Sequence, residues 1–335
     1  MFGISTFIHM AEVMISFIVR GKPFFQTLTG YGIAKPGIKP YGNLFGLIIF
    51  ILYLVVYRYA INRKVDYQLF LIMHSVLPLP IVILAFLHAN SNIVYTLPSL
   101  VLYLLDLVVR IYNYSSYCKC QYSIEKNGYI RIDLYTKLNA CPGQYVQIKV
   151  IDGKFGNNSL FAHPFTIAAN VSQNHYVVLI KPNGKWTTNL KTLIENDGEF
   201  KLSVSGPFGK PIFKSEFDHY VFVAGGSGIT SCLLPISELL YKNKSVVLIW
   251  TFNDKYSEQL SLLEDLKELG DIKIHLYYTG KEEYDGIPNS RFDPFNYFSL
   301  YSGAVYCCGP ESLMEDVKKA TSSSKITYEC AEYTF

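Results

Sequence analysis

His74 and His88 stand 14 positions apart in a stretch, Tyr67 to Ala89, that is otherwise almost free of charge. On a helix turning 100° per residue, 14 steps return to within about 40° of the start, and the two rings lie about 21 Å apart along one face. Two imidazoles at two depths of a membrane helix form the ligand pattern that stacks two haems one above the other. The competing reading is a pair of packed or hydrogen-bonded histidines, and for the pair alone both readings stay open. Ionisable side chains within a membrane span are costly to keep, which points toward function.

The elements that must position this pair follow from composition. Residues 1 to about 115 are rich in Leu, Ile, Val, Phe and Tyr, whereas residues 118 to 335 hold most of the Lys, Asp and Glu. Four apolar segments, Phe2–Val19, Leu44–Tyr59, Leu69–Leu87 and Ile93–Ile111, approach the roughly 20 residues a bilayer core requires and predict four spans. The first lacks a charged leading region, contains His9 and Glu12, and is followed by Arg20 and Lys22, which predicts an uncleaved span rather than a signal peptide. Lys119, Lys126 and the cysteines beyond the last segment place the C-terminal part on the cytosolic side of a plasma or endoplasmic reticulum membrane. Arg58, Arg63 and Lys64 read as solvated anchors at lipid head groups. A net charge of +3 without a basic stripe excludes nucleic acid as a partner.

The C-terminal part opens on strands. Tyr129 to Tyr135 and Gln144 to Val150 alternate apolar with polar side chains, joined through Cys141-Pro-Gly, the pattern of an antiparallel barrel. A run Leu160 to Ala169 and a strand His175 to Lys181 follow, and Gly184-Lys-Trp-Thr-Thr188 leads into a helical run to Ile194. A Gly followed by hydroxyl residues at a helix start presents backbone N–H groups to a phosphate. The period then changes. Strand Tyr220–Ala224, turn Gly225-Gly-Ser-Gly-Ile-Thr230, a helix from about Ser231 to Tyr241 and strand Val246–Thr251 predict a crossover unit that seats a pyrophosphate, although such glycines also serve tight packing. A helix Ser257–Leu269, strands Ile272–Tyr278 and Gly303–Cys307, and a helix opened by Cys308-Gly309-Pro310 complete the pattern. His175, His219 and His275 show no metal spacing and read as structural.

In order, the motifs His163-Pro-Phe-Thr166, Gly184-Lys-Trp-Thr187, Gly206-Pro-Phe-Gly209, Gly225 to Thr230, Cys308-Gly-Pro310 and Glu332-Tyr-Thr-Phe335 resemble the ferric reductase and NADPH oxidase family, behind a His-x13-His helix. The composition and the Thr-Phe ending are similar to yeast-type metalloreductases. The resemblance implies a membrane α-helical bundle followed by a ferredoxin-reductase-like module, an antiparallel β-barrel FAD domain plus an α/β nucleotide-binding domain. It divides the chain into a transmembrane haem-binding domain 1–115, an FAD domain 118–213 and an NADPH domain 218–335. The implied cofactors are FAD, NADPH and one or two haem b.

The resemblance also implies residue roles. His163, Pro164, Phe165 and Thr166 pack along the isoalloxazine, Lys181 lies on the next strand, and Gly184, Trp186, Thr187 and Thr188 meet the FAD pyrophosphate. Gly206, Pro207, Phe208 and Gly209 lie at the junction toward NADPH. Gly225, Gly226, Ser227, Gly228, Ile229 and Thr230 form its pyrophosphate turn, and Cys308, Gly309 and Pro310 face the nicotinamide. Tyr333 or Phe335 covers the flavin.

Two departures accompany it. The family carries a second His pair on an earlier helix; His9 matches its second member, and the first falls before Met1, so the chain reads as N-terminally shortened. The family pairing joins His9 to His88 at the haem iron and leaves His74 without its partner, so that either the inner haem is missing, or His74 takes an unusual ligand, or the chain is a shortened product of a longer gene. The second departure is Asn253, with Lys255 beyond it, where the family commonly has an Arg for the NADPH 2′-phosphate; NADPH is expected and NADH is the alternative. The expected activity is a transmembrane ferric or cupric reductase, with a metal chelate or oxygen as acceptor. The alternatives are a superoxide-producing oxidase and a silent subunit, partnered by a second copy or a full-length relative.

Overall fold

Long runs of Leu, Ile, Val and Phe have no polar face to leave in water, and they form the helices of the first of two compact units, which ends at Arg110. The computed structural model describes residues 8–9, 11–12, 15, 18–19, 21, 28–29, 41–63, 67–89, 92–114, 117–151, 162–196, 200–213, 216–284, 286–287, 289–299, 301–322 and 326–330. The helices are α1 (Gly42–Ile61), α2 (Tyr67–Val76), α3 (Pro78–His88) and α4 (Asn92–Tyr114).

Of the four expected spans, two are long and apolar enough to cross a membrane among the described residues: Gly42–Ile61 and Leu69–His88. In α4 the apolar stretch is only Thr96–Val109, with Asn92 before it and Arg110 and Asn113 after it, so the fourth expectation is corrected to a shorter apolar helix. The first expected span falls largely outside the described residues.

The straight helix expected between Tyr67 and Ala89 is also corrected. Pro78 and Pro80 have no N–H, so the bonds owed to the carbonyls of His74 and Val76 cannot form. Helical backbone nevertheless persists across the break: Leu77 has φ −72 and ψ −27, its N–H donates to Met73 at 3.1 Å, and Ile81 N–H donates to Leu77 at 3.2 Å. The result is one helix interrupted at Leu77, with a histidine near the end of each half.

The second unit holds two sheets. Strands β1 (Tyr117–Ile124), β2 (Ile130–Tyr135), β3 (Tyr145–Ile151), β4 (His163–Ser172), β5 (His175–Ile180) and β6 (Lys201–Phe208) close into a barrel in the order β1-β2-β5-β4-β3-β6. The consecutive strands β2 and β3 are not neighbours, so Cys141-Pro-Gly joins them across the barrel rather than as a hairpin. Inward Ile130, Ile132 and Leu134 alternate with outward Arg131 and Asp133, and the interior is filled by Val146, Ile148, Val178, Ile180 and Leu202. Helix α5 (Lys185–Glu195) closes it with Trp186, Leu190 and Ile194.

The other sheet is parallel, ordered β11-β10-β7-β8-β9, from β7 (His219–Gly225), β8 (Ser245–Phe252), β9 (Ile272–Tyr278), β10 (Gly303–Cys308) and β11 (Ile326–Cys330). Its inner strands β7, β8 and β10 are near-continuous apolar runs because helices cover both faces, whereas the edge strands β9 and β11 are only partly buried. The helices are α6 (Thr230–Tyr241), α7 (Ser261–Leu269), α8 (Pro294–Phe298) and α9 (Glu311–Thr321). Tyr129, Ala168, Val177 and Leu179 of the barrel share one buried core with Leu233, Ile236 and Leu239 of α6, so the two lobes are fused by apolar packing.

A polar latch reinforces that fusion. Helix α7 was expected from Ser257 and begins at Ser261, because Ser257 turns back to donate to the Asp254 carbonyl at 2.8 Å. The orphan N–H of Ser261 is satisfied from the other lobe: it donates to Glu125 Oε2 at 3.1 Å, and the Ser261 hydroxyl donates to Glu125 Oε1 at 2.6 Å. Arg131 donates to the same hydroxyl oxygen at 2.9 Å and forks onto Asp133 at 3.0 and 3.2 Å. Burial alone would raise the Asp133 pKa, but hydrogen bonds from Arg131 and His175 outweigh it and hold the carboxyl below its ordinary range.

The Glu125 side chain is only 8% exposed, so truncating it leaves the Ser261 N–H and hydroxyl without their acceptor. Glu125→Ala is expected to cost about 2 kcal/mol and lower the melting temperature by about 4–8 °C, with Glu125→Gln losing less. Thermal unfolding of the three proteins followed by circular dichroism checks the order.

Candidate functional site

The barrel contributes the start of β4. His163 and Phe165 stand 4.6 and 5.5 Å, ring to ring, from Trp186 at the head of α5. Pro164 pairs with Gln147 and Thr166 with Tyr145 on β3. Trp186 is 4% exposed and packs in the barrel core, whereas Gly184 and Thr188 are exposed and Thr187 is half-buried at this helix start. Thr187 Oγ1 accepts from the N–H groups of Asn183 and Gly184, both at 3.0 Å, and donates to the Gly184 carbonyl at 2.9 Å, which shapes the helix entrance. Gly184 has nothing within 4 Å of where a Cβ would sit, so the entrance is open. Lys181 lies one residue past the end of β5 rather than on the strand, and forms an ion pair with Asp254 of the other lobe.

Gly206 to Gly209 end β6. Gly206 has φ +139 and Gly209 φ +89, with Tyr145 packed against both, and the Gly209 carbonyl accepts from Gln144 Nε2 at 3.0 Å.

The parallel sheet contributes two turns in contact. A Cβ on Gly228 would lie 2.2 Å from the Cys308 carbonyl oxygen, one on Gly225 would lie 2.5 Å from Pro310 Cδ, and one on Gly309 would lie 2.9 Å from Gly225 Cα. These three glycines are therefore required by close approach of adjacent strand ends. Gly226 differs: φ is +53 and nothing lies within 4 Å of a Cβ, so it turns the chain beside open space next to the exposed Ser227. The Trp250 indole donates to the Gly226 carbonyl at 3.0 Å, and the hydroxyl of Thr230 donates to Ser227 at 3.0 Å, while Ile229 is fully buried. The turn lies at the carboxyl ends of the strands, between β7 and β10, where the strand order reverses, the place at which sheets of this kind receive ligands. Cys308 is buried; burial pushes its thiol up to about 11, more than the Ser231 hydroxyl lowers it, so the sulfur is a neutral thiol at physiological pH. Tyr333 and Phe335 lie outside the described residues.

In the first unit, the His88 ring lies against α1 where Gly42 and Gly46 share a face. His88 Nδ1 is 2.7 Å from the Gly42 carbonyl oxygen, and a carbonyl only accepts, so Nδ1 carries the proton and Nε2 keeps its lone pair. A Cβ on Gly46 would sit 2.8 Å from His88 Cε1. His74 stacks on Phe70 at 4.4 Å, and its Nδ1 is buried without a hydrogen-bond partner among the described residues. Both imidazoles fit metal ligation chemically, one by an oriented tautomer and the other by an unsatisfied nitrogen. His9 is helical and exposed.

Sequence reasoning missed the Glu125–Ser261 latch, the Lys181–Asp254 pair and the Gly42/Gly46 cradle. The last had a signal, a Gly-x-x-x-Gly spacing in an apolar run. The interlobe pairs had none, because their partners are more than 70 residues apart in sequence.

A closed antiparallel barrel fused to a parallel nucleotide-type sheet defines a ferredoxin-reductase-like flavin and nicotinamide module. Residues 117–212 match the family described as "FAD-binding domain", and residues 217–297 match "Ferric reductase NAD binding domain". A "Probable cell surface ferric reductase kap2" of Aspergillus oryzae is 26% identical, over 75% of this chain and 38% of its own length. "Ferric/cupric reductase transmembrane component 2" of Saccharomyces cerevisiae is 25% identical over 68% of this chain and 34% of its own. "NADPH oxidase 3" of Rattus norvegicus is 24% identical over 58% and 38%. The chain belongs to the ferric reductase and NADPH oxidase family. It spans about a third of the length of the curated relatives it matches.

Burial holds the His163 pKa at about 4 against an ordinary 6.5. The unfolded chain takes up this proton near pH 6.5 and the folded chain only near 4, so stability falls as the pH is lowered through that window. His163→Gln is expected to remove on the order of 2–3 kcal/mol of the stability lost between those limits. Urea unfolding at closely spaced pH values checks it; equal slopes for both proteins would show that His163 does not titrate this way.

Proposed function

We propose that the chain is a transmembrane flavohaem oxidoreductase that uses NAD(P)H, FAD and haem b to reduce ferric or cupric ions across a plasma or endoplasmic reticulum membrane. Residues 118–213 take the flavin and residues 218–335 the nicotinamide coenzyme, on the cytosolic side. The reading rests on family membership, and the observation that carries it is the pair of touching turns, Gly225–Thr230 and Cys308–Pro310, in a module preceded by two helices of membrane-spanning length. The fungal relatives suggest the acceptor, being a ferric reductase and a ferric/cupric reductase by name.

When bound, FAD accepts a hydride and haem passes single electrons, chemistry the side chains cannot supply. The chain's own part is placement. His163 is neutral and Phe165 is braced by Trp186, so both present rings to an isoalloxazine without adding charge. Thr187, Thr188 and the open Gly184 entrance receive the FAD pyrophosphate, and Gly226 with Ser227 that of the coenzyme. The buried Cys308 thiol borders the nicotinamide as a small, neutral wall that keeps water from the hydride path. His88 offers Nε2 to a haem iron, with His9 as its expected counterpart, and His74 offers the second imidazole.

A reduced-minus-oxidised visible spectrum of the membrane-inserted chain, with FAD and NADPH added and haem counted per chain, tests this. Haem reduced by NADPH is the expected result. A chain that binds FAD but no haem would reduce the proposal to a membrane-anchored flavin reductase. The match to an NADPH oxidase favours oxygen as a second acceptor, and superoxide production by membranes without added metal chelate would support it.

The Gly46 cradle gives an independent check. Gly46→Val pushes the His88 ring off α1 and breaks its bond to the Gly42 carbonyl, so haem content is expected to fall about tenfold at limiting haem. Unchanged haem per chain and an unchanged Soret band would show that His88 is not a ligand.

A further inference from the structure

Resting on the nicotinamide reading above, the geometry assigns the choice of coenzyme to a pair of loops at the carboxyl ends of β8 and β9. In sheets of this kind the ribose 2′ position of the adenosine is read at the end of the second strand, by an acidic residue for a free hydroxyl or by a cation for a phosphate. Here the second strand is β8, and the chain leaves it through Asn253, Asp254 and Lys255. The cation is already engaged. Lys255 Nζ lies 2.8 Å from Glu282 Oε2, on the loop that follows β9. The other acid of the turn, Asp254, is held by Lys181 from the barrel.

The loops are fixed against each other. The Thr279 N–H and hydroxyl donate to the Phe252 carbonyl at 2.8 and 3.2 Å, tying the two strand ends together. The Tyr284 hydroxyl accepts from the Tyr256 N–H at 3.2 Å and donates to Glu258. A Cβ on Gly280 would lie 2.8 Å from the Asn253 carbonyl oxygen, so the second loop lies directly on the first. Together they carry Asp254, Glu258, Glu282 and Glu283 against Lys255 and Lys281, an excess of negative charge. Glu282 is held below its ordinary pKa, chiefly by its hydrogen bond from Lys255, and stays ionised at physiological pH.

We propose that Glu282 is the specificity-determining residue of the coenzyme site. By neutralising Lys255 and adding a carboxylate beside the ribose, it favours a free 2′-hydroxyl over a 2′-phosphate and brings NADH level with NADPH. A 2′-phosphate has to displace Glu282 from Lys255, and a lysine lacks the fork with which arginine would hold that phosphate. A ribose hydroxyl needs neither, because it can donate to the carboxylate as it stands.

The test is the dissociation constants of NADH and NADPH for the full-length chain in detergent, by titration calorimetry at low ionic strength. The wild type is expected to prefer NADPH by less than tenfold. Glu282→Gln is expected to shift the ratio at least threefold toward NADPH, and Glu282→Gln combined with Lys255→Gln to cancel that shift. A wild-type preference for NADPH of tenfold or more, or a ratio moved less than threefold by Glu282→Gln, overturns the inference while leaving the nicotinamide reading intact. Failure of both coenzymes to bind overturns this inference together with the reading it rests on.

Discussion

Packing of α6 against β4 is the contact on which the rest of the soluble unit depends. Strand β4 begins with His163 to Thr166, and α6 begins where the glycine turn after β7 ends. Joining these two elements places an aromatic-lined barrel end and a glycine turn in one compact unit. The joint is apolar, built from Ala168, Val177 and Leu179 against Leu233 and Ile236, so it is driven by water exclusion and is indifferent to pH. The polar latch from Glu125 and Arg131 to Ser261 adds direction: hydrogen bonds to a helix N-terminus have one geometry, whereas apolar contact alone permits sliding.

The glycines around the nucleotide turn show how packing and binding divide a motif. Gly225, Gly228 and Gly309 are dictated by the approach of β7 to β10, and any side chain there would collide with backbone or with Pro310. Gly226 alone combines a left-handed backbone with open space. Three of the four glycines thus serve close packing and one borders open space, so a motif match by itself says less about binding than the space beside Gly226 does.

Much of this architecture was legible in the sequence. Alternation marked Tyr129 to Tyr135 and Gln144 to Val150 as barrel strands, the apolar run Tyr220–Ala224 was read as a buried strand and Ile272–Tyr278 as a strand, each within a residue or two of its observed bounds. What was not legible depended on long-range partners. The non-adjacency of β2 and β3 is decided by β5 pairing to β2, forty residues downstream. The start of α7 is decided by a carboxylate from β1's turn, which no local propensity encodes. Proline in an apolar helix was visible at Pro78 and Pro80, yet hydropathy alone read through both, because it counts side chains and ignores missing N–H groups.

The membrane-type unit turns on the same economy of small residues. Intramembrane histidine is tolerated only where its polar nitrogens are used, since hydrocarbon offers no alternative partner. At His88 one nitrogen is used by the Gly42 carbonyl, which is already committed to the C-terminal direction of α1 and has a second lone pair to give. That bond is reachable only because Gly46 leaves room for the ring against the helix backbone. The buried Nδ1 of His74 is then a polar atom whose cost is unexplained by protein contacts among the described residues. A metal that takes a lone pair at this depth would remove that cost, which is the physical reason for the proposed haem ligation in this unit.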